Sequence, residues 1–273
     1  MHLQSANHPG NSKALSNPMF TFTNAIVRTP GRSMISGLTK ANMGLPDYHK
    51  ALNQHGGYVA ALKSCGLDVL VLDPDEAYPD STFVEDVAVL TPHCAIVTYP
   101  AAPSRVGETA GIRAVLPRFY TQVEEIVEPG TLDGGDVMQI DSHFFIGVSA
   151  RTNRNGAVQL IEILRRYGMT GSVVPINEFL HLKTGVTCVA EHTLLATGEC
   201  IARPEFSGFT VLPVPAGKEG AANCIRINDK ILMPAGFPEI CKMLIDRGAD
   251  IIEIEISEYA KMDGGLTCLS LRF

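Results

Sequence analysis

The chain has 273 residues, 45% of them hydrophobic and 19% charged, enough for one large core or two small ones. Twenty-two basic residues against 29 acidic ones give a formal charge of −7, with no Lys/Arg cluster that could displace counterions, so nucleic acid and anionic membranes are poor partners. The 7 cysteines (65, 94, 188, 200, 224, 241, 268) are scattered, with no C-x-x-C pair and no zinc spacing, and predict reduced thiols in a cytoplasmic protein that holds no metal.

Met1 to Pro18 is polar, without the apolar run of a signal peptide or anchor, and is expected to be a flexible extension ahead of one domain at 19–273. From Phe20 to Val27 an apolar, alternating run predicts a strand, closed by Arg28, Thr29, Pro30 and Gly31. Residues 32 to 46 read as a loop anchored by Ile35 and Leu38. Tyr48, Leu52, His55, Val59 and Leu62 then recur at helical spacing, Gly66 stops the helix, and a buried strand follows from Leu67 to Leu72.

The same order repeats. Strands at 83–90 and 94–98 precede a helical stretch near 107–118 and a strand at Val123 to Val127. Strands at 136–140 and 143–147 precede a helix with Ala157, Leu160, Ile161, Leu164 and Tyr167 on its apolar face, a stop at Gly168 and a strand at 172–176. The pair at 186–190 and 193–196 is followed by Pro204, Phe206 and Gly208, which allow at most a short helix before Val211 to Val214. The last pair, 223–227 and 230–233, leads to a helix at 237–247, Gly248 and a strand at 250–256. A strand, strand, helix, strand unit thus recurs about every fifty residues, five times, with the first unit completed by a terminal strand beginning at Cys268. Such repeats form radial arrays that close around a central channel.

Four stretches fit packing poorly. In DSTFVEDVAVL, from Asp80 to Leu90, Glu85 and Asp86 interrupt a β-rich run; on a strand they face opposite ways, so one points inward to meet a cation, unless one is exposed and the other caps a turn. TLDGGDVM places Asp133 and Asp136 around two glycines, which a plain turn also explains. His181 sits at a loop-to-strand junction, as a structural histidine or an acid/base. Cys268 follows DGGLT near the chain's end, a buried small hydrophobe or a thiol beside pliant backbone. Cys268, His181 and Asp133 together are the parts of thiol catalysis: nucleophile, proton carrier and orienting carboxylate.

FVEDVAV, APSR at 102–105, LDGGDV, SARTN at 149–153, LHLK, AANCI at 221–225 and DGGLTC resemble, in order, the motifs of the dimethylarginine dimethylaminohydrolase family of guanidino-group-modifying enzymes, from about Phe20 onward. The resemblance implies an α/β fold, a five-bladed αβ propeller of repeated ββαβ units with pseudo-five-fold symmetry. It implies a Cys268 nucleophile, His181 as acid/base and Asp133 as the imidazole's partner. Asp86, with Glu85 beside it, would meet the guanidinium. Arg151 and Arg105 would hold the substrate's α-carboxylate, and Asp80 its α-amino end. Leu38 and Met262 align with lid and pocket positions. Lys183 stands where the related arginine deiminases carry a second carboxylate, which favours an N-methylated guanidine over free arginine. The implied reaction is hydrolysis of methylated arginine to citrulline, without cofactor or metal. Its partners are a small-molecule substrate and at most a second copy in a homodimer. A deiminase, an amidinotransferase and a non-catalytic guanidine-binding member are the alternatives.

Overall fold

The computed structural model describes residues 21–273, so the expected extension at 1–18 and the first residue of the strand expected from Phe20 lie outside the described residues. Five three-stranded sheets stand around one axis. Strands β1 (Asn24–Arg28), β2 (Asp68–Leu72), β3 (Ala88–Leu90), β4 (Ala95–Val97), β5 (Val123–Glu125), β6 (Val137–Ile140), β7 (His143–Val148) and β8 (Thr170–Pro175) are followed by β9 (Val186–Ala190), β10 (Thr193–Ala196), β11 (Thr210–Pro213), β12 (Ile225–Ile227), β13 (Lys230–Pro234), β14 (Asp250–Ile254) and β15 (Leu271–Arg272). In each blade the inner strand pairs antiparallel with the middle one, and the middle one pairs parallel with the outer strand. A parallel step needs a crossover, and helices Tyr48–Ser64, Thr109–Val115, Arg154–Arg166 and Pro238–Ile245 supply it in four blades. The fourth blade crosses over with 3-10 turns at Gly198–Cys200 and Pro204–Phe206, the short helix the sequence allowed there.

The ring closes as the repeat predicts. β15 pairs antiparallel with β1, with Ala25 opposite Arg272 and Ile26 opposite Leu271, so the end of the chain supplies the first blade's inner strand. Between neighbouring blades lie five apolar wedges. Val27 and Tyr58 meet Ile225 and Ile254; Ile26 and Leu271 meet Val84 and Val97; and the other three wedges repeat this between successive blades. Strands buried on both faces read as near-continuous apolar runs, which is why β3, β4 and β10 carry almost no polar residues.

The first helix is turned relative to the expected face. Ala51, His55, Tyr58, Ala61 and Leu62 are buried and Leu52 is exposed, because the small Ala51 and Ala61 admit the close approach and Tyr58 satisfies its hydroxyl inside, on the Leu266 carbonyl and Ser270. Helices close on Gly66, Gly168 and Gly248 at φ of +89°, +73° and +87°, the left-handed stop that glycine adopts without cost.

Two strand boundaries move, with a consequence for the site. Val84–Val87 is a 3-10 turn ahead of β3, and Gly134–Asp136 is another ahead of β6. The terminal strand does not start at Cys268 either: Thr267–Leu269 is a third such turn. Leu182–Gly185 and Glu219–Ala222 hold the same place in their blades. Each inner strand is thus entered through a single turn of helix, and the five turns pack side by side around the axis. There the chain must bend from the rim into the strand, and an alternating strand cannot do so. Glycines allow the contact: a Cβ on Gly134 would lie 2.0 Å from the Glu85 carbonyl oxygen, and one on Gly265 would lie 2.1 Å from the Asn223 side chain.

Candidate active site

The ring of turns brings the predicted residues together from four blades. Cys268 rides on the Thr267–Leu269 turn, 8% exposed, with the Gly265 N–H 3.5 Å from Sγ and the Thr267 hydroxyl 3.8 Å away. His181 precedes the Leu182–Gly185 turn, and its Nε2 lies 3.1 Å from Asp133 Oδ2 and 3.9 Å from Asp86 Oδ1. Asp133 is fully buried just before the Gly134–Asp136 turn. The Ala101 N–H donates to its Oδ1 (3.3 Å) and Arg151 Nη1 to its Oδ2 (3.4 Å). Asp86 accepts from the Gly135 N–H at 3.0 Å and from Arg105 Nη1 at 2.5 Å.

A cavity of about 30 Å³ lies among Cys268, His181, Asp86, Asp80, Arg105, Arg151, Leu38 and Met262. Asp133 stands behind His181, oriented toward the imidazole. Glu85 is the exception among the expected residues. Both carboxylates of the pair are buried, 3% exposed each, because the 3-10 turn replaces the strand that would have alternated them. Asp86 enters the cavity of Cys268, whereas Glu85 lines a second cavity of about 160 Å³ across the ring. There its Oε1 accepts from Lys183 at 2.6 Å and Arg272 at 3.0 Å. Lys183 lines that second cavity too, so its ammonium is spent on Glu85.

Arg105 is 4% exposed and held from every side. Its Nε and Nη2 grip both oxygens of Glu108, and Nη2 also donates to the Phe83 and Asp80 carbonyls. Arg151 is only partly buried and lies nearer the cavity mouth. Asp80 Oδ1 accepts from the Leu38 N–H at 3.0 Å, which ties the 37–46 loop down over the site.

Residues to which the sequence assigned no role complete the frame. Asp136, fully buried, accepts from the Leu182 N–H (2.9 Å) and the Ser149 hydroxyl (2.7 Å), which fixes the turn that carries His181. Asn223 accepts from the Thr267 N–H at 3.0 Å and so steadies the turn of Cys268. Asp263, at φ +58°, receives the Lys40 N–H and pins the same loop as Asp80, while the Lys261 carbonyl accepts from the Thr39 hydroxyl. A signal existed for two of them, since Asp136 closes the DGGD motif and Asp263 opens the DGG that precedes Cys268.

Charge is unevenly matched here. Burial, followed by the nearby Glu85 and Asp86 carboxylates, pushes the Cys268 thiol up to about 12. Burial alone would lower His181, but Asp86, the Asp133 hydrogen bond and Asp136 outweigh it and raise the imidazole to about 9. Asp86 is itself opposed by burial yet held down at about 2 by His181 and Arg105. These shifts favour a neutral thiol beside a protonated imidazole near neutral pH. Asp86, Asp133 and His181 bring donor atoms within 4.8 Å of one another, and His181 Nε2 already lies 3.1 Å from Asp133 Oδ2 and 3.9 Å from Asp86 Oδ1.

Known proteins resemble this chain over most of its length. The family described as N,N dimethylarginine dimethylhydrolase, eukaryotic, matches residues 46–210. An N(G),N(G)-dimethylarginine dimethylaminohydrolase from Pseudomonas aeruginosa is 48% identical over 92% of this chain and all of its own length. One from Streptomyces coelicolor is 37% identical over 91% of this chain and 96% of its own. The fold superposes with a TM-score of 0.92 on a cysteine-to-serine mutant of the Pseudomonas aeruginosa enzyme complexed with citrulline, at 48% identity, covering 93% of this chain and 100% of that one.

Proposed function

The chain belongs to the dimethylarginine dimethylaminohydrolase family and hydrolyses methylated arginine to citrulline; we propose that the reaction runs through a covalent intermediate on Cys268. The observation that carries this reading is the shared cavity, in which a thiol, an imidazolium backed by Asp133, and an anionic Asp86 converge.

Asp86 receives the substrate's guanidinium, a planar cation whose N–H groups a carboxylate matches. Arg151 meets the α-carboxylate at the mouth, and Asp80 with Leu38 meets the α-amino end under the loop. The guanidinium brings a positive charge beside Cys268, which lowers the thiol toward ionisation, and the thiol proton passes to solvent because His181 already carries its own. The Cys268 thiolate then adds to the guanidinium carbon. His181, protonated in the empty site, gives its proton to the methylated nitrogen, and the C–N bond breaks as dimethylamine or methylamine leaves. A thiouronium remains on sulfur. His181, now neutral, takes a proton from water as hydroxide adds to the same carbon; the C–S bond then breaks, the new hydroxyl's proton passes to the departing sulfur, and thiol and citrulline are released.

Lys183 supports methylated over free arginine. With its ammonium on Glu85, Asp86 is left as the carboxylate facing the guanidinium, and no second one demands an unsubstituted nitrogen. The seven free thiols favour a reducing cytoplasmic setting, and no helix among the described residues is long and apolar enough to cross a membrane.

The test is incubation with asymmetric dimethylarginine, monomethylarginine and arginine, scoring citrulline, beside Cys268→Ser. Citrulline from the methylated substrates, lost in the variant, is expected. No citrulline from either, or unchanged turnover in the variant, defeats the reading.

A further inference from the structure

Arg105 raises a difficulty for any cationic substrate: its own guanidinium already sits 2.5 Å from Asp86, the carboxylate on which the substrate's guanidinium is to bind. Two cations sharing one carboxylate repel each other, strongly so in a site shielded from water. The other side of Arg105 resolves this. Glu108 accepts from Nε at 3.0 and 3.1 Å through its two oxygens and from Nη2 at 2.8 Å, in the paired geometry of a carboxylate and a guanidinium. Glu108 is 5% exposed and lies behind Arg105, outside the cavity.

Resting on the hydrolysis reading above, we propose that Glu108 is a positioning residue for catalysis: it neutralises Arg105, so that Asp86 keeps its negative charge for the substrate's guanidinium. Glu108 touches no substrate and acts through Arg105. The local sequence builds the pair into one element, since Arg105 and Glu108 stand three apart on the Pro103–Glu108 turn. The turn is packed hard against its neighbour. A Cβ on the intervening Gly107 would lie 1.9 Å from the Tyr78 hydroxyl oxygen, so the pair has little freedom to separate.

A buried carboxylate in this position is also sensitive to acid. Burial raises Glu108 to about 7 against the opposing pull of Arg105, with Asp80, ahead of the Val84–Val87 turn, and Asp86, on it, adding their repulsion. Above that pH Glu108 is an anion and cancels Arg105. Below it Glu108 is neutral, the full charge of Arg105 falls on Asp86, and a cationic ligand binds less well. A neutral ligand with the same α-amino and α-carboxylate ends is indifferent to the change.

Citrulline is such a ligand. In a Cys268→Ser background, which leaves methylated arginine unhydrolysed, calorimetry gives the dissociation constants of asymmetric dimethylarginine and citrulline between pH 6.5 and 8.5. The expected result is a ratio that shifts against dimethylarginine as pH falls through about 7. Adding Glu108→Gln at pH 8.5 weakens dimethylarginine roughly tenfold and citrulline less than about twofold, and removes the step in the ratio near pH 7, leaving only the slope that His181, 3.9 Å from Asp86, contributes as it titrates toward about 9. Adding Arg105→Gln to that variant restores the ratio, because any loss at the shared α-carboxylate end cancels between the ligands. The proposal is overturned if both ligands weaken by the same factor, if the ratio is unmoved by Glu108→Gln, or if the ratio shows no step near pH 7 while Glu108 is present. If neither ligand binds the parent protein, the hydrolysis reading fails and takes this inference with it.

Discussion

Adjacent residues of one turn serve two different cavities. Glu85 looks into the larger one, about 160 Å³, where Lys183 and Arg272 meet it. Asp86 looks into the smaller, about 30 Å³, where Arg105 is already claimed by Glu108 and the remaining charges surround a neutral thiol. Size alone would put the chemistry in the wrong place. In the larger cavity Glu85 Oε1 is paired with two cations of the fold, Lys183 and Arg272; in the smaller, on the proposed reading, it is the substrate's cation that pairs with Asp86. The 37–46 loop is tied over the smaller cavity by the Leu38 N–H, which donates to Asp80 Oδ1.

This contrast is open to direct attack. The largest effect is expected on the small-cavity side, where Cys268→Ser or Asp86→Asn lowers citrulline formation by at least about 10³-fold while the protein stays folded by circular dichroism. Substitutions on the large-cavity side are expected to do the opposite. Lys183→Met strips Glu85 of one of its two cations and, with Arg272 still paired, costs about 2 kcal/mol of stability in denaturant melts. The folded fraction keeps kcat within about threefold, a spread that ordinary packing changes produce. Activity lost without stability in Lys183→Met erases the distinction between the cavities.

The fold was legible to a large degree, and the site partly so, for different physical reasons. Blade order survives in sequence because strands buried on both faces must be apolar and helices must carry an apolar stripe, and Gly66, Gly168 and Gly248 mark where helices stop. The five entry turns were invisible. A 3-10 turn such as Val84–Val87 has the same composition as the strand it feeds, so Glu85 and Asp86 were expected to alternate and instead are buried on one turn. Glycine spacing carried the only trace of these turns, through close approaches such as that of Gly135 to His181 and Asp86. Partners such as Glu108 for Arg105 and Asn223 for the Thr267 N–H depend on which blade stands beside which, or on which way a side chain turns. Neither has a periodicity to read.

A smaller effect separates the loop from the ring. His181 gains its proton affinity only in the folded site, rising from 6.5 to about 9 against the penalty of burial. A raised folded value stabilises the protonated form, so its contribution is complete below about pH 6.5 and is lost as pH climbs toward 9. The difference in melting temperature between the wild type and His181→Asn is expected to shrink across that window, and a difference that grows denies the imidazolium. The smallest expected change is at Asp263, whose φ of +58° and bond from the Lys40 N–H hold the loop. Asp263→Gly relieves the backbone cost and removes the latch, and is expected to raise KM about threefold at nearly constant kcat, with faster amide exchange at 38–40. Unchanged exchange there dissociates Asp263 from the loop.

The claim beneath all of these is that the small cavity lacks one cation until substrate supplies it. It is tested most directly by titrating thiolate absorbance, as the difference between wild type and Cys268→Ser, with and without a non-reactive cationic analogue of methylated arginine. The thiol is expected to stay protonated well above neutral pH in the empty protein, in keeping with a pKa pushed to about 12, and to ionise at distinctly lower pH once the analogue is bound. Identical titration curves in the two states contradict it.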